Sequence, residues 1–255
     1  MKRKIGILGC GWLGEPLGKN LIDLGNHVNG STRSIERISQ LKQSRIRPFK
    51  IDISALSNNI NSFFDVEVLI IAITSKSIDD FQNLIKVVEK STVQHILYIS
   101  STSVYDNSNS IVTENDSTND SNLAIIERLF IKNKNFKTTI IRFGGLFGYL
   151  RKPGNFVKPP RVLKNPEGYI NLIHQDDCVG ILSQIISKNV WGEIFNVCSS
   201  SHPKRKEFYQ KEVFKLHGLK PEIEENSLNN YKIISNEKLL KRLSYKFKYN
   251  DLLNL

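Results

Sequence analysis

The sequence predicts an α/β fold in which helices cover both faces of a doubly wound parallel sheet. Apolar runs of strand length alternate with stretches of helical spacing over the first 145 or so residues, about the length that such a sheet needs. The predicted strand at 66–74 is apolar without a break from Val68 to Ile73. Unbroken apolar character is typical of a strand buried between two layers of helices, so the sheet is expected to be parallel.

The strands and helices follow one another in regular order. Strands are predicted at residues 4–8, 27–31, 48–53, 66–74, 95–101 and 138–143. The helices between them are predicted at 13–24, from an N-cap at Ser34 to Leu41, from Ser77 to Lys90, and at 121–132.

The second part of the chain alternates less regularly. A loop rich in Gly, Pro and Lys covers 144–168, and a strand follows at 169–173. Asp176 is predicted to cap a helix that ends at Lys188, with a strand at 194–197 and a helix at 203–216 beyond it. We therefore assign 1–150 to the core, and 151–255 to the remaining sheet and a small substrate-side cap that is not an independent domain.

Composition excludes several classes of protein. A chain of 255 residues, 40% hydrophobic, is of the size that forms one core of roughly 250 residues. Three widely spaced cysteines make neither a disulfide framework nor a zinc site, and no run reaches the ~18 apolar residues of a membrane span. We expect a cytoplasmic protein with buried, reduced cysteines, no metal site and no membrane contact.

The net charge of +11 raises the question of a nucleic-acid partner. The basic residues form no helix interleaved with stacking aromatic side chains. No specific nucleic-acid partner is therefore expected, although non-specific binding at low salt stays open.

A glycine-rich turn follows the first strand and opens the first helix. It reads Gly9-Cys10-Gly11-Trp12-Leu13-Gly14, a GxGxxG motif in the strand–turn–helix context of dinucleotide-binding proteins. In that context the first glycine permits the tight turn, the second lets the backbone approach a pyrophosphate, and the third allows close packing of helix on strand. We predict a Rossmann cofactor site here, with Trp12 and Leu13 as part of the turn.

The end of the second strand indicates which dinucleotide is bound. An NAD site places an acid there, whereas this chain has Thr32, Arg33 and Ser34, with Arg37 nearby. A guanidinium can bind a 2′-phosphate through two hydrogen bonds. The sequence therefore favours NADP, and NAD remains the alternative.

Six segments, spread over nearly the whole chain, resemble motifs of the extended short-chain dehydrogenase/reductase superfamily. That superfamily includes nucleotide-sugar epimerases and dehydratases, and the likeness is to its small bacterial atypical branch. The segments are Asp52-Ile53, Ala72 to Thr74, Ser100 to Tyr105 (similar to SSxxVYG), Arg142 to Gly148 (RxxxVYG), Asn171 to Asp177 (NxIHVDD) and Phe195 to Val197 (YNV).

The resemblance implies further cofactor contacts. Asp52 and Ile53 match the pair that meets adenine, and Ala72 to Thr74 match the backbone that passes the ribose. Ser100, Phe143 and Gly144 complete the cofactor residues that it implies.

The active site departs from the superfamily pattern. Ser101 matches the residue that holds the substrate carbonyl, but Asn119 stands where the catalytic tyrosine belongs and Leu123 where the lysine belongs. No YxxxK spacing occurs in the chain. Tyr105, and after it Tyr149, are the candidates for the missing proton donor.

Substrate-side residues are implied by the loop that opens the cleft in relatives. Tyr149, Arg151 and Lys152 lie in this loop, and its charge would suit a phosphate, unless the loop is simply a solvated surface. His174 belongs to the same side; it is either a general acid paired with Asp176 or Asp177, or part of a structural turn.

Two functions remain open. The first is an NADP-dependent oxidoreductase or epimerase/dehydratase-like enzyme that acts on a small polar carbonyl or nucleotide-sugar-type substrate. The second is a non-catalytic NADP-binding redox sensor, since the regulatory branch of the superfamily lacks the same tyrosine. Pairing into a homodimer stays open in both cases.

Overall fold

The computed structural model describes residues 2–56, 58–225, 227–228 and 230–254. The strands within this part of the chain are β1 (Lys4–Leu8), β2 (His27–Thr32), β3 (Arg47–Lys50), β4 (Val68–Ile71), β5 (His95–Ser101), β6 (Ile111–Val112), β7 (Lys137–Phe143), β8 (Gly145–Phe147), β9 (Val162–Leu163), β10 (Leu172–His174), β11 (Ile194–Val197), β12 (Glu222–Ile223) and β13 (Ile233–Ile234). The α-helices are α1 (Gly14–Asp23), α2 (Arg37–Gln43), α3 (Ile78–Val88), α4 (Asn122–Lys132), α5 (Gln175–Ser187), α6 (Arg205–His217) and α7 (Glu237–Leu243).

The main sheet has seven parallel strands in the order β11-β7-β5-β4-β1-β2-β3 among the described residues. Chain order reverses at β1, where the register pairs Ile5 with Val68 on one side and with Val28 on the other. Every residue of β4 is fully buried, which explains its apolar run. The doubly wound fold predicted from the sequence is confirmed.

Two compact units are distinguished by their internal contacts. The first comprises Met1–Ser100, Asp120–Ile141 and Val179–Ile194, and the second Ser101–Asn119, Arg142–Cys178 and Phe195–Leu255. The second unit has a core of its own around Phe147, Leu172 and Phe208. Its short parallel pairs, β8 with β10, β9 with β12 and β6 with β13, carry too few residues to show a periodic pattern in the sequence.

Both N-caps predicted from the sequence, Ser34 and Asp176, are wrong. Ser77, where the third helix was predicted to start, caps α3 by accepting a hydrogen bond from the N–H of Asp80. Ser34 does not cap α2, which begins three residues later. Asp176 does not cap α5 either, because the helix already includes Gln175 and the N–H of Asp176 donates to Nδ1 of His174.

The three cysteines are free and buried, as expected, and burial raises the pKa of the Cys10 thiol to about 12. No α-helix in the described ranges is long and apolar enough to cross a bilayer. The same residues contain no group of three or more His, Cys, Asp or Glu side chains arranged to hold a metal ion.

Candidate functional site

The glycine turn between β1 and α1 has three glycines with different surroundings. Gly9 has φ +102°, and a Cβ there would lie 2.6 Å from the carbonyl oxygen of Ala72. A Cβ on Gly14 would lie 2.2 Å from the carbonyl oxygen of Gly9. A Cβ on Gly11 would meet nothing within 4 Å. Packing therefore requires two of the glycines, whereas Gly11 borders open space of the kind that an approaching pyrophosphate needs.

Hydrogen bonds fix this turn to the end of β2. The N–H of Gly9 donates to Oγ of Ser31 at 2.9 Å, and the N–H of Cys10 donates to the Ser31 carbonyl at 2.8 Å. Leu13 is buried at the N-cap position of α1 and Trp12 is half-buried. The N-terminus of α1, whose first N–H groups have no partner within the helix, is thus held beside the end of β2.

The two arginines near the end of β2 differ in the contacts that they make. Arg33 is exposed. Arg37 donates to the buried carboxylate of Glu15 at 2.7 Å, and Gln40 donates to the same oxygen at 2.9 Å. The guanidinium of Arg37 therefore ties α2 to α1, and the expectation that it helps to bind a phosphate stays a prediction.

The buried Glu15 is kept ionised by its partners. Burial acts to raise the pKa of Glu15, but hydrogen bonds from Lys19, Ser44 and Gln40 outweigh that effect and hold the pKa below its usual value. The carboxylate therefore serves as a fixed negative charge for the ammonium and guanidinium groups around it.

The predicted adenine and ribose residues lie along the carboxyl ends of the strands. Asp52 accepts hydrogen bonds from the N–H and the hydroxyl of Ser54; these bonds, aided by the charge of Arg33, lower its pKa. Ile53 is buried, Thr32 is buried and accepts from the N–H of Ser34, and Thr74 is exposed.

The side chain of Ser100 belongs to a buried polar pair. Its hydroxyl donates to the carboxylate of Glu127, which is 1% exposed on α4. This internal hydrogen bond is enough to explain why a serine stands at position 100. A helix of apolar spacing that carries one acid on its buried face is the signal that could have predicted it.

Tyr105, predicted as a catalytic residue, belongs to the second unit and is 3% exposed. Its hydroxyl accepts a hydrogen bond from Arg142 at 2.5 Å and donates to Oδ1 of Asn196 at 2.9 Å. Burial raises the pKa of Tyr105, with opposing effects from Arg142 and Asn196. The geometry therefore argues against proton donation by Tyr105, because its single hydroxyl proton is already donated to Asn196.

Four further residues singled out in the sequence, Ser101, Asn119, Phe143 and Gly144, have different surroundings. Ser101 is half-buried, and its hydroxyl accepts from the N–H of Ser103 at 3.1 Å, which leaves its own proton available. Asn119, at the tyrosine position, donates to the Ser103 carbonyl at 3.1 Å. Phe143 is buried, and a Cβ on Gly144 would lie 2.6 Å from the carbonyl oxygen of Asn171.

His174 sits among aromatic rings. Tyr249 stacks on it with ring centroids 3.7 Å apart, and Phe147 and Tyr149 contact it at 5.2 and 5.5 Å. Burial lowers the pKa of His174, although Asp176 and Asp177 oppose this. Because its Nδ1 accepts the N–H of Asp176, the neutral ring carries its proton on Nε2.

The predicted substrate loop lies near this histidine. The hydroxyl of Tyr149 donates to Asp176 at 2.9 Å, which raises the pKa of that phenol. Arg151 and Lys152 are exposed, and Lys152 borders a cavity of about 150 Å³ with His174. Two further residues of this cavity, Glu212 and Tyr249, were not predicted. Glu212 lies on the same face of α6 as Phe208 and Tyr209. This spacing in the sequence was the signal that could have predicted that Glu212 is buried.

The parallel sheet and its glycine turn define a Rossmann-type dinucleotide-binding protein. Residues 9–177 match the model of the NAD(P)H-binding family, and the chain belongs to that family. Its structural neighbours include proteins described as NAD-dependent epimerases or dehydratases, and at 18–22% identity they show that this fold is shared.

Similar proteins match the chain over almost its full length. Protein YeeZ of Escherichia coli K12 is 29% identical over 270 residues, covering 98% of this chain and 97% of YeeZ. A functionally unknown conserved protein of Silicibacter pomeroyi has a TM-score of 0.81 at 18% identity, covering 99% of this chain and 96% of that one. The UDP-glucuronic acid 4-epimerase of Bacillus cereus, in complex with NAD, has a TM-score of 0.77 at 18% identity, with 98% and 96% covered. At these identities the two structures establish the fold alone.

Proposed function

We propose that this protein binds NADP and acts as an oxidoreductase or epimerase/dehydratase-like enzyme on a small polar carbonyl or nucleotide-sugar-type substrate. The observation that carries the proposal is the open space at Gly11, in a turn whose two other glycines are required by packing. A methyl group would fit there in the protein alone, so a ligand explains the glycine better than packing does.

The preference for NADP rests on the end of β2. Arg33 is exposed, follows the strand directly and has no neighbouring acid at the position where NAD-binding proteins carry one. Asp52, two residues beyond β3, accepts its hydrogen bonds from Ser54 rather than from Arg33. A 2′-phosphate would give Arg33 a charge-assisted partner that NAD lacks.

The residues that would hold the cofactor follow from this geometry. The glycine turn and the N-terminus of α1 would hold the pyrophosphate, and Arg33 with Thr32 and Ser34 would hold the 2′-phosphate. When bound, the nicotinamide supplies or accepts a hydride. Ser101 can donate its hydroxyl proton to a substrate carbonyl oxygen, since that proton is not used within the turn.

A redox sensor is the second candidate function, and the surroundings of Tyr105 favour it. Asn119 and Leu123 occupy the positions of the usual tyrosine and lysine, and the Tyr105 hydroxyl is bound to Arg142 and Asn196. A sensor needs only different affinities for the two cofactor states and no proton donor.

Calorimetric titration of the purified protein with NADP+, NADPH, NAD+ and NADH tests the proposal. NADPH should bind more tightly than NADH, and Arg33→Ala should weaken NADPH by about tenfold or more while NADH changes little. Arg45→Ala is the matched control, because Arg45 is an exposed arginine just before β3 that pairs with Asp23. Equal affinity for NADH and NADPH in the wild type would contradict the NADP assignment.

Turnover then separates the enzyme from the sensor. An enzyme should oxidise NADPH with a polar carbonyl substrate and lose most of its kcat in Ser101→Ala, with dinucleotide affinity unchanged. Strong preference for one redox state without turnover on any carbonyl tested would favour the sensor instead.

A further inference from the structure

A half-buried lysine lies beside the turn where the catalytic tyrosine of the superfamily is missing. Lys232 directly precedes β13, and its ammonium donates a hydrogen bond to the carbonyl oxygen of Tyr105, 127 positions away in sequence. Asn119, at the tyrosine position, donates to the carbonyl oxygen of Ser103 at 3.1 Å and to the carboxylate of Asp106 at 3.3 Å. Lys232 and Asn119 therefore bind the same short turn of the second unit.

The backbone around Lys232 is fixed on both sides. The N–H of Tyr231 donates to Oδ1 of Asn109 at 2.8 Å, and β13 pairs in parallel with β6. The side-chain amide of Asn171 donates to the carbonyl oxygen of Lys232 at 2.8 Å and accepts from the N–H of Ile234 at 2.9 Å. The side chain of Lys232 thus extends from a fixed backbone, which a group that acts on a bound substrate requires.

The ammonium of Lys232 has hydrogen-bonding capacity left for a ligand. One of its three N–H groups is used by Tyr105, and it forms no ion pair with any residue that the structure describes. Burial lowers the pKa of Lys232, with a smaller opposing effect from the charge of Asp106. Such a lysine gives up its proton near neutral pH more readily than a fully solvated one does.

We propose that Lys232 is the proton donor that takes the place of the missing tyrosine, an inference that rests on the oxidoreductase function proposed above. Ser101, which accepts from the N–H of Ser103 in the same turn, holds the substrate carbonyl oxygen by a hydrogen bond. The ammonium of Lys232 stabilises the negative charge that develops on that oxygen.

The proton transfer completes the reduction of the carbonyl group. The substrate carbon gains a hydride, which NADPH supplies when bound. An N–H bond of Lys232 breaks as an O–H bond forms on the substrate oxygen, and the neutral amine then regains a proton from water. One NADPH and one proton are consumed for each carbonyl group that is reduced.

Competitive labelling of the purified full-length protein with acetic anhydride, followed by mass spectrometry, measures the protonation of Lys232 without turnover. Lys220 is the matched comparison, because it is exposed and belongs to the same unit. Lys232 should reach half of its maximal labelling rate at a lower pH than Lys220. A midpoint at or above that of Lys220 would overturn the proposal, since the ammonium would then hold its proton as firmly as one in solvent.

Turnover of Lys232→Met and Lys232→Arg, with Lys220→Met as the control, tests the chemistry. Lys232→Met should lower kcat for NADPH oxidation by about a hundredfold, with the calorimetric affinity for NADPH unchanged. Lys232→Arg keeps the charge and a donor for the Tyr105 carbonyl, but a guanidinium does not release its proton near neutral pH, so kcat should stay low. Wild-type kcat in Lys232→Arg would show that Lys232 only positions the turn, and the proposal would be wrong.

The wild-type protein distinguishes a wrong proton donor from a wrong function. Turnover by the wild type that persists in Lys232→Met would remove Lys232 from the mechanism and leave the proposed enzyme in place. Absence of NADPH binding or of turnover in the wild type would overturn both proposals.

Discussion

At the scale of single residues, the surroundings of a side chain decide its role more than its type does. Tyr105 follows a serine-rich turn in a segment that resembles SSxxVYG, so it was a reasonable candidate for a proton donor. The structure instead places its hydroxyl between Arg142 and Asn196, residues 37 and 91 positions away in sequence. A contact between such distant residues has no local signature in the sequence.

Replacement of Tyr105 by Phe should therefore reduce stability and leave catalysis largely intact. The ring keeps its packing, but Asn196 loses a buried hydrogen-bond donor, which costs about 1–3 kcal/mol of unfolding free energy. Urea denaturation followed by circular dichroism measures the loss, and kcat with NADPH serves as the comparison. Unchanged stability with abolished turnover would instead identify Tyr105 as the proton donor.

At the scale of elements, Asp177 connects α5 to the C-terminal segment. Its buried carboxylate accepts hydrogen bonds from the Tyr245 hydroxyl at 3.0 Å and from the N–H groups of Lys248 and Tyr249 at 2.8 and 3.0 Å. Burial, with the neighbouring charge of Asp177, raises the pKa of Tyr245 and keeps that phenol protonated as a donor. Asp177 thus holds in place the segment that stacks Tyr249 on His174.

Asp177→Asn should loosen this segment. The new amide group presents its own N–H where donors already point, so at least one of the three bonds is lost. Amide hydrogen exchange of residues 245–249 should become faster, and the unfolding free energy should fall by about 1–3 kcal/mol. Asp176→Asn is the control, since Asp176 is less buried and binds the exposed Tyr149 hydroxyl. Similar exchange in both variants would refute this role of Asp177.

The starts of α3 and α4 were predictable because a serine stands directly before each helix. Ser77 and Ser121 precede α3 and α4 and accept from the N–H groups of Asp80 and Ala124. Ser34 has the same residue type, but its hydroxyl binds Glu36, and α2 begins later, where Arg37 reaches Glu15. That ion pair joins residues 22 positions apart, which a local capping rule cannot detect.

At the scale of the whole molecule, the doubly wound parallel sheet was predicted from the sequence, but most of the second unit was not. The sheet strands are long enough to show an apolar pattern, and α/β alternation restricts how they connect. The pairs β9–β12 and β6–β13 have two residues on each strand and join segments far apart in sequence. Glu212 was missed for the same reason, since α6 was predicted without the core it packs against.

Acidification should destabilise the folded protein. Burial lowers the pKa values of His95, His174 and His202 below the usual 6.5, so each takes up a proton more readily when unfolded. Stability is therefore complete above that value and declines as the pH falls below it.

Urea unfolding at about pH 7.5 and about pH 5.5 should show a smaller unfolding free energy at the lower pH. His202→Gln should reduce this difference, because His202 is half-buried against the Ile170 carbonyl. A larger free energy at the lower pH would contradict the described burial of these rings.

The most direct test of the dinucleotide site is the affinity of Gly11→Ala for NADPH. A Cβ at this position meets no protein atom within 4 Å, so the variant should fold with the stability of the wild type. Its methyl group should occupy the space proposed for the pyrophosphate and weaken NADPH by about a hundredfold, a cost of ~3 kcal/mol. Calorimetric titration that gives this loss, with an unchanged urea midpoint, is the predicted result. NADPH affinity equal to that of the wild type would contradict the proposal that the pyrophosphate binds at Gly11.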